Sequence, residues 1–162
     1  MVAVSLGLLA TVLSAPTAQS VTDQPSLLAP NTEIKTLSGR CVQGSKAASV
    51  GLIQETCNNP SVQRFDLRPV ADDKWEIRTS GLCVGVRGVS TADRAVVQTY
   101  PCDGGQAQRF GLLPMGGPFY MIRTFAGKCV EVDGLDTNRA PLLQQPCADK
   151  GSQKFFIDPP SY

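Results

Sequence analysis

Short apolar segments alternate with polar, glycine-containing turns from residue 33 to residue 158. Three similar segments, 33–36, 75–79 and 120–124, are each followed within a few residues by a glycine, which is typical of a turn. No stretch shows the sustained apolar period that an amphipathic helix requires. Short apolar runs with turn residues at intervals of roughly 8 to 12 positions indicate β-strands. The pattern therefore predicts an all-β fold.

One triplet, made of a glutamine, a basic residue and a phenylalanine, recurs at an interval of 45 residues. Each copy begins six residues after a cysteine. The copies are Gln63-Arg64-Phe65, Gln108-Arg109-Phe110 and Gln153-Lys154-Phe155. A fixed period of this length is the sequence signature of a repeat architecture. It divides the chain into residues 32–74, 75–118 and 119–158, which are called repeats 1, 2 and 3 below.

Three repeats of four short strands each predict a β-trefoil over residues 32–158. Strand alternation places the glutamine and the phenylalanine of each triplet on one side of a strand and the basic residue on the other. We therefore expect Phe65, Phe110 and Phe155 to meet in a shared core near a pseudo-threefold axis. A three-bladed propeller is the structural alternative, although propellers with fewer than four blades are atypical.

The six cysteines fall into three pairs, one in each repeat. Six cysteines allow 15 pairings, but the repeats favour one scheme, with one disulfide inside each repeat. The predicted bonds are Cys41–Cys57, Cys83–Cys102 and Cys129–Cys147. A zinc site is the competing interpretation, and it is weak because the chain has no histidine and no C-x-x-C pair. We predict no metal and no cofactor.

The first 20 residues carry no charge and include an apolar run from Val2 to Leu13. This composition predicts a secretory signal peptide over residues 1–20, and disulfides fit an exported protein. No basic residue precedes the run and no A-x-A cleavage site follows it, so the cleavage point stays open. An apolar tail on a cytosolic protein is the alternative. We expect a flexible segment at 21–31, a short tail at 159–162, and no membrane span after the signal peptide.

Charge and residue usage exclude several functions. The formal net charge is +1, with no basic stripe that would indicate nucleic-acid binding. Without histidine there is no ordinary imidazole base, the serines lack a nucleophile-elbow context, and the cysteines are committed in pairs. We therefore predict that the protein is not an enzyme.

The layout of each repeat resembles the ricin-type, or Q-x-W, lectin repeat. The segments that show the resemblance are "GLCVGVRGVSTADRAVVQTYPCDGGQAQRF", "GKCVEVDGLDTNRAPLLQQPCADKGSQKF" and, with more divergence, "GRCVQGSKAASVGLIQETCNNPSVQRF". The resemblance implies a β-trefoil that binds sugars through five positions per repeat. These are an Asp two residues after the first cysteine, a Gln four before the second, an aromatic two before it, and an Asn-Gln pair after it.

Repeat 2 retains most of these positions. Gln98, Tyr100 and Gln108 match, whereas Gly85 stands at the acid position and Ala107 at the Asn position. An aromatic face suits the C–H surface of a sugar, and fixed polar groups suit its hydroxyls.

The other repeats retain less. Repeat 3 has Glu131 at the acid position and Gln153, but Gln145 replaces the aromatic residue. In repeat 1 only Gln63 matches, and Glu55 stands at the aromatic position. The resemblance thus implies five candidate carbohydrate-binding residues, Gln98, Tyr100, Gln108, Glu131 and Gln153. The triplet glutamines have a second interpretation, because an amide repeated in every copy can bond to backbone groups behind the strand.

The predicted function is that of a secreted, non-catalytic, carbohydrate-binding protein with degenerate sugar sites, and its predicted partners are glycans. Two alternatives stay open. The degenerate repeats also resemble the lectin-like subunits A and C of cytolethal distending toxins, which implies a cell-binding scaffold that docks a catalytic partner subunit. A trefoil protease inhibitor is the second alternative, with Arg139 offered on the loop 133–141.

Overall fold

The computed structural model describes residues 30–58 and 60–158. The predicted signal peptide, most of the N-terminal segment and the predicted tail lie outside these residues. The described residues form twelve short β-strands and four 3-10 turns, with no α-helix among them. No helix of this part of the chain is long and apolar enough to span a membrane. The predicted all-β fold is confirmed.

Each repeat contributes four strands. Repeat 1 has β1 (Glu33–Thr36), β2 (Cys41–Gln43), β3 (Ile53–Glu55) and β4 (Asp66–Val70). Repeat 2 has β5 (Lys74–Thr79), β6 (Leu82–Val86), β7 (Val97–Tyr100) and β8 (Gly111–Pro114). Repeat 3 has β9 (Phe119–Arg123), β10 (Cys129–Val132), β11 (Leu142–Gln145) and β12 (Phe155–Asp158).

Six of the strands close into a ring. Antiparallel strand pairs join the repeats, because β4 pairs with β5, β8 with β9, and β12 with β1. Inside each repeat a short bridge closes the ring, at Thr32–Phe65, Trp75–Phe110 and Tyr120–Phe155. The remaining strands form three hairpins, β2–β3, β6–β7 and β10–β11, which contact one another through further bridges. This threefold arrangement is the predicted β-trefoil.

The three triplet phenylalanines lie in one core. Phe65, Phe110 and Phe155 are fully buried among aliphatic side chains from all three repeats, around an interior cavity of only about 20 Å³. Burial of a phenylalanine side chain stabilises a fold by about 1.5–3 kcal/mol, so this core is a major source of stability. The predicted shared core is confirmed.

The prediction that each triplet glutamine lies in the strand is wrong. Gln63, Gln108 and Gln153 each end a 3-10 turn, and the strand begins after them. The tight turn directs the amide back toward the loop of the second cysteine, which an extended strand would not do.

All three predicted disulfides are present. The Cα atoms of the paired cysteines are 4.9–5.0 Å apart, inside the usual range for a disulfide. Each bond joins residues 16 to 19 positions apart. Closing a loop of this size stabilises a fold by about 3 kcal/mol in the chain-entropy model.

A second set of buried polar residues, which the sequence interpretation missed, ties each repeat to another. Gln54 and Gln144 donate from Nε2, and Thr99 donates from Oγ1, to backbone carbonyls of another repeat's loop. The acceptors are Gly134, Leu135 and Thr137 for Gln54, Ser90 and Ala92 for Gln144, and Ala47 and Val50 for Thr99. A side chain of repeat 1 thus binds a loop of repeat 3, one of repeat 3 binds a loop of repeat 2, and one of repeat 2 binds a loop of repeat 1. The cycle makes the hairpin loops rigid supports for a site.

Candidate functional site

The triplet glutamines brace the loop that carries the second cysteine of each repeat. The side-chain Oε1 accepts a hydrogen bond of 2.8–3.1 Å from the backbone N–H after the cysteine. The side-chain Nε2 donates one of 2.9–3.0 Å to the carbonyl before the cysteine. The interpretation of these amides as structural groups is confirmed, and a contact with sugar would be an additional role.

The second hydrogen of each amide distinguishes the repeats. Gln63 donates it to Gln43 at 3.0 Å, and Gln153 donates it to Glu131 at 2.7 Å. Both acceptors stand two residues after the first cysteine, where repeat 2 has Gly85. Gln108 therefore makes only its two backbone bonds within the described residues. One amide hydrogen of a buried group is left for another acceptor.

Gly85 also determines where the ring of Tyr100 lies. A Cβ atom at Gly85 would be 3.2 Å from Cδ2 of Tyr100 and 3.2 Å from Cγ of Gln108, closer than side chains ordinarily pack. The ring thus lies against the strand in space that a side chain would need. The Tyr100 hydroxyl accepts a hydrogen bond from the backbone N–H of Gly88 at 3.1 Å.

These groups line a surface depression with a volume of about 150 Å³, called the repeat-2 depression below. Its apolar lining includes Val86, Val89 and Ala107, and its polar lining includes Tyr100, Asp103 and Gln108. The Asp103 carboxylate is exposed, and it accepts a hydrogen bond from the backbone of Gly105 at 2.8 Å. An aromatic ring, a carboxylate and a buried amide therefore open to the same space, which suits a small polar ligand with one apolar face.

The rim of the depression carries backbone strain. Val89 has φ 52° and is 51% exposed, although a β-branched residue rarely adopts the left-handed region. Strained backbone of this kind is often found at ligand-binding sites. Because Val89 is exposed, its side chain is available to contact a ligand.

Gln98 is not part of the lining. It is buried, and its Oε1 accepts a hydrogen bond of 2.6 Å from Nε of Arg87. Arg87 opens the turn that carries Gly88 and Val89. Gln98 thus lies where it fixes the rim of the depression.

In repeat 3 the acid position is already occupied. The Glu131 carboxylate accepts hydrogen bonds from Lys150 at 3.0 Å and from Gln153 at 2.7 Å. Lys150 precedes the 3-10 turn of this repeat and neutralises the acid. A sugar hydroxyl would have to share this carboxylate with a lysine. The sequence interpretation missed this pair, although a basic residue three positions after Cys147 is visible in the chain.

In repeat 1 the aromatic position is closed by a salt bridge. Glu55 accepts hydrogen bonds from its neighbour Thr56 and from Asn138, and it pairs with Arg139 at 3.2 Å. The backbone N–H of Thr56, and then Asn138, lower the pKa of Glu55 below its ordinary value. The expectation from resemblance that repeat 1 contributes no carbohydrate-binding residue is consistent with this closure.

The same contact bears on the protease-inhibitor alternative. Arg139 has φ 62°, and its backbone N–H donates to the carbonyl of Gln54 at 2.8 Å. A protease binds its target as an extended strand, which pairs through exposed backbone groups. A left-handed residue whose N–H is already bonded does not favour this alternative.

One group of potential metal ligands occurs among the described residues, and it is not a metal site. It consists of Glu76, Cys83 and Cys102, and the two cysteines form a disulfide. Zinc binds thiolates, which a disulfide does not supply.

Comparison with known proteins places the chain in a family. A search of curated proteins by sequence found no match. The structure is similar to the designed threefold symmetric protein ThreeFoil, with a TM-score of 0.75 and 22% identity over 78% of this chain and 96% of that one. It is similar to an exo-β-1,3-galactanase from Clostridium thermocellum, with a TM-score of 0.75 and 22% identity over 79% of this chain but only 30% of that one.

A third similar structure is the Haemophilus ducreyi cytolethal distending toxin. The TM-score is 0.66 at 20% identity, over 97% of this chain and 96% of that one. Identities this low show a shared fold and nothing more. The model of the ricin-type β-trefoil lectin domain matches residues 30–155, which is most of the chain. The chain therefore belongs to the ricin-type β-trefoil lectin domain family.

Proposed function

We propose that the protein is a secreted, non-catalytic, carbohydrate-binding protein whose principal sugar site is the repeat-2 depression. One observation carries the proposal. Only in repeat 2, among the described residues, do an aromatic ring, an exposed carboxylate and a triplet amide with an unused hydrogen open to one space. In repeat 1 Glu55, at the aromatic position, and in repeat 3 Glu131, at the acid position, are each paired with a cation. Membership of a lectin-domain family supports a glycan as the ligand.

The lining residues suggest how a sugar would bind. The ring of Tyr100 would contact the C–H face of the sugar, and Val89 would contact its edge. Gln108 would donate its remaining amide hydrogen to a sugar oxygen, and Asp103 would accept from a hydroxyl. A ligand held by so few groups binds weakly per site, so avidity would matter. Glu131 and Gln153 would form a second, partial site in repeat 3 only when Lys150 releases the carboxylate.

Two further features support export and the absence of catalysis. Three disulfides are typical of proteins that work outside the reducing cytosol. The chain has no histidine, and every cysteine is in a disulfide, so the commonest general base and the thiolate nucleophile are both missing.

A glycan array tests the proposal. The full chain, multimerised through a tag, should retain a subset of glycans, and Tyr100→Ala should abolish this retention. Tyr100→Phe is the matched control, because it keeps the ring and loses only the hydroxyl bond to Gly88. The proposal is wrong if the multimerised wild type retains no glycan, or if Tyr100→Ala retains the same glycans equally well.

A scaffold subunit of a secreted toxin assembly is the second candidate. The observation in its favour is that the similarity to the cytolethal distending toxin spans nearly all of both chains. Co-purification with a catalytic chain from the native source would support it. A protein that elutes alone and binds glycans unaided would exclude it.

A further inference from the structure

The turn that leads to the first cysteine is one residue shorter in repeat 2 than in the other repeats. In repeats 1 and 3 four residues separate a buried threonine from the cysteine, and the first of these is Leu37 or Phe125. In repeat 2 only three residues separate Thr79 from Cys83. Ser80 and Gly81 form a two-residue hairpin turn, with φ values of 50° and 81°. The apolar residue that repeats 1 and 3 carry is therefore missing.

In repeat 1 that apolar residue, Leu37, covers a neighbouring repeat. A Cβ atom at Gly151, which opens the 3-10 turn of repeat 3, would lie 2.8 Å from Cδ2 of Leu37. The equivalent turn in repeat 1 begins at Ser61, which is exposed. A cleft of about 350 Å³ opens there, between repeats 1 and 2, and its lining includes Ser61, Ser80 and Gly81. This inter-repeat cleft shares no lining residue with the repeat-2 depression.

The lining of the inter-repeat cleft is rich in arginine. Three arginines line it, Arg64, Arg68 and Arg78, against one acid, Asp66. The pleat explains the cluster, because alternate residues of β4 face the same side and Arg78 of β5 lies opposite Asp66. At the next junction, the positions equivalent to Asp66 and Arg68 are Gly111 and Leu113. The concentration of arginine is therefore a property of this junction.

The polar groups of the cleft are only partly paired. Arg78 pairs with Glu76 at 2.5 Å and Arg64 with Glu33 at 3.0 Å, whereas exposed Arg68 forms no ion pair with another described residue. A hydroxyl lies beneath them. Thr79 is 2% exposed, lines the cleft, and its Oγ1 has no hydrogen-bond partner in the described part of the chain.

A substitution explains the unpartnered hydroxyl. In repeat 3 the equivalent Thr124 bonds to the side chain of Gln144 at 3.1 Å, but repeat 2 has Thr99 at the glutamine position. The shorter Thr99 side chain directs its hydroxyl to repeat 1 instead. An unpaired buried polar group is uncommon in native proteins, and Thr79, which lines the cleft, carries one.

We infer that the inter-repeat cleft binds the anionic group, a sulfate or a carboxylate, of an acidic glycan. Arginine forms paired, planar hydrogen bonds with such groups, and Arg68 has its donors available. A space of about 350 Å³ is large enough for one sugar ring and its charged substituent. The inference goes beyond the proposed function, since the two sites can bind or fail independently.

Calorimetry on the full chain tests the inference. The ligands are a sulfated oligosaccharide, a carboxylated one, and the neutral oligosaccharide with the same core. We expect tighter binding of one acidic form, weakened by high salt and by inorganic sulfate. Whichever acidic form binds identifies the anionic group. Equal affinity for the acidic and neutral forms would overturn the inference.

Two charge variants locate the site. Arg68→Glu should lower the affinity for the acidic glycan by about tenfold or more, the loss expected for one charge-assisted contact. Arg123→Glu is the matched control, since Arg123 is exposed on β9 at the position equivalent to Arg78 and undergoes the same change of charge. An equal loss in both variants would show a general charge effect and overturn the inference.

A third variant tests whether binding needs the open shape of the cleft as well as its charge. A phenylalanine inserted between Thr79 and Ser80 restores the turn length of repeat 3 and fills the cleft while keeping all three arginines. Binding of the acidic glycan should be lost, and retention by the repeat-2 depression should be unchanged, which also shows that the variant folds. If the insertion unfolds the protein, Ser61→Trp fills the same cleft from the other side. Undiminished acidic-glycan binding in a folded filled variant would overturn the inference.

Discussion

Repeats 2 and 3 place the same glutamine in the same turn, yet its second amide hydrogen is unused in repeat 2 and bonded in repeat 3. The difference lies two residues after the first cysteine, where repeat 2 has Gly85 and repeat 3 has Glu131. In repeat 3 the acid takes the amide hydrogen of Gln153 and the charge of Lys150. In repeat 2 the glycine leaves the hydrogen of Gln108 unused and makes room for Tyr100. Glycine at this position thus leaves the amide hydrogen of Gln108 without an acceptor, whereas glutamate accepts that of Gln153.

The largest expected effect concerns stability. Gln153→Ala removes bonds to Ala148, Pro146 and Glu131, leaves partly buried backbone groups unpaired and empties the space of a fully buried side chain. We expect a loss of about 2–4 kcal/mol in the free energy of unfolding, from unpaired groups together with a cavity. Gln108→Ala should cost less, because this amide makes one bond fewer. Denaturant unfolding of both variants checks the order, and an equal or reversed order would contradict the comparison.

Next in size is a crowding effect at Gly85. Gly85→Ala places a Cβ atom 3.2 Å from Tyr100 and from Gln108, so the ring must move. We expect a cost of about 1 kcal/mol, at the lower end for overpacking, and weaker glycan retention. Thermal unfolding and the glycan array measure the two effects. Gly51→Ala has a similar 3.2 Å contact with Val96, outside the depression, and is the control that should retain glycans.

A smaller effect is expected at Lys150. Lys150→Ala frees the Glu131 carboxylate, while an exposed ion pair contributes only about 0–1 kcal/mol to stability. We expect nearly unchanged unfolding and a second, weak glycan site in repeat 3. Binding stoichiometry by calorimetry measures the gain. Lys154→Ala removes a different ion pair of the same repeat, with Asp149, and should leave the stoichiometry unchanged.

The smallest effect concerns pH. The pKa of Glu55 is lowered below 4.5 in the folded state, first by the N–H of Thr56. Its contribution to stability is therefore present above pH 4.5 and is lost as the pH falls through the lower, folded-state pKa. NMR titration of the Glu55 carboxyl should give a midpoint below that of Glu55 in an unfolded peptide. Asn138→Ala should raise the midpoint, and no change would show that Asn138 does not stabilise the carboxylate.

Most of the fold could be predicted from the sequence, because threefold symmetry repeats every constraint three times. The period located the phenylalanine core, and it reduced the possible cysteine pairings to the one observed. The 3-10 turns were not predicted, since Gln-x-Phe alternation suits a strand equally well. The roles of the buried Gln54 and Gln144 were not predicted. Their hydrogen-bond acceptors belong to other repeats, and the pattern within one repeat does not show which loops of the other repeats lie nearby.

The candidate site was predictable only in part. Position matching identified Tyr100 and Gln108, and the structure places both at the repeat-2 depression. Matching positions to the family pattern could not show that Gln98 bonds to Arg87 behind the rim, or that Lys150 bonds to Glu131. Both depend on contacts between side chains that are distant in sequence. The short turn at Ser80 can be seen in the sequence, as one residue fewer before Cys83. The cleft that results from it cannot, because its other wall belongs to repeat 1.

Side-chain amide NMR tests the central claim most directly. The labelled full chain is titrated with a glycan retained on the array, and the Nε2 signals of the two triplet glutamines Gln108 and Gln153 are followed. The account predicts that the Gln108 signal shifts with saturation while the Gln153 signal stays in place, because only Gln108 has a hydrogen to donate. A shift of Gln153 alone, or saturable binding that moves neither signal, would contradict it.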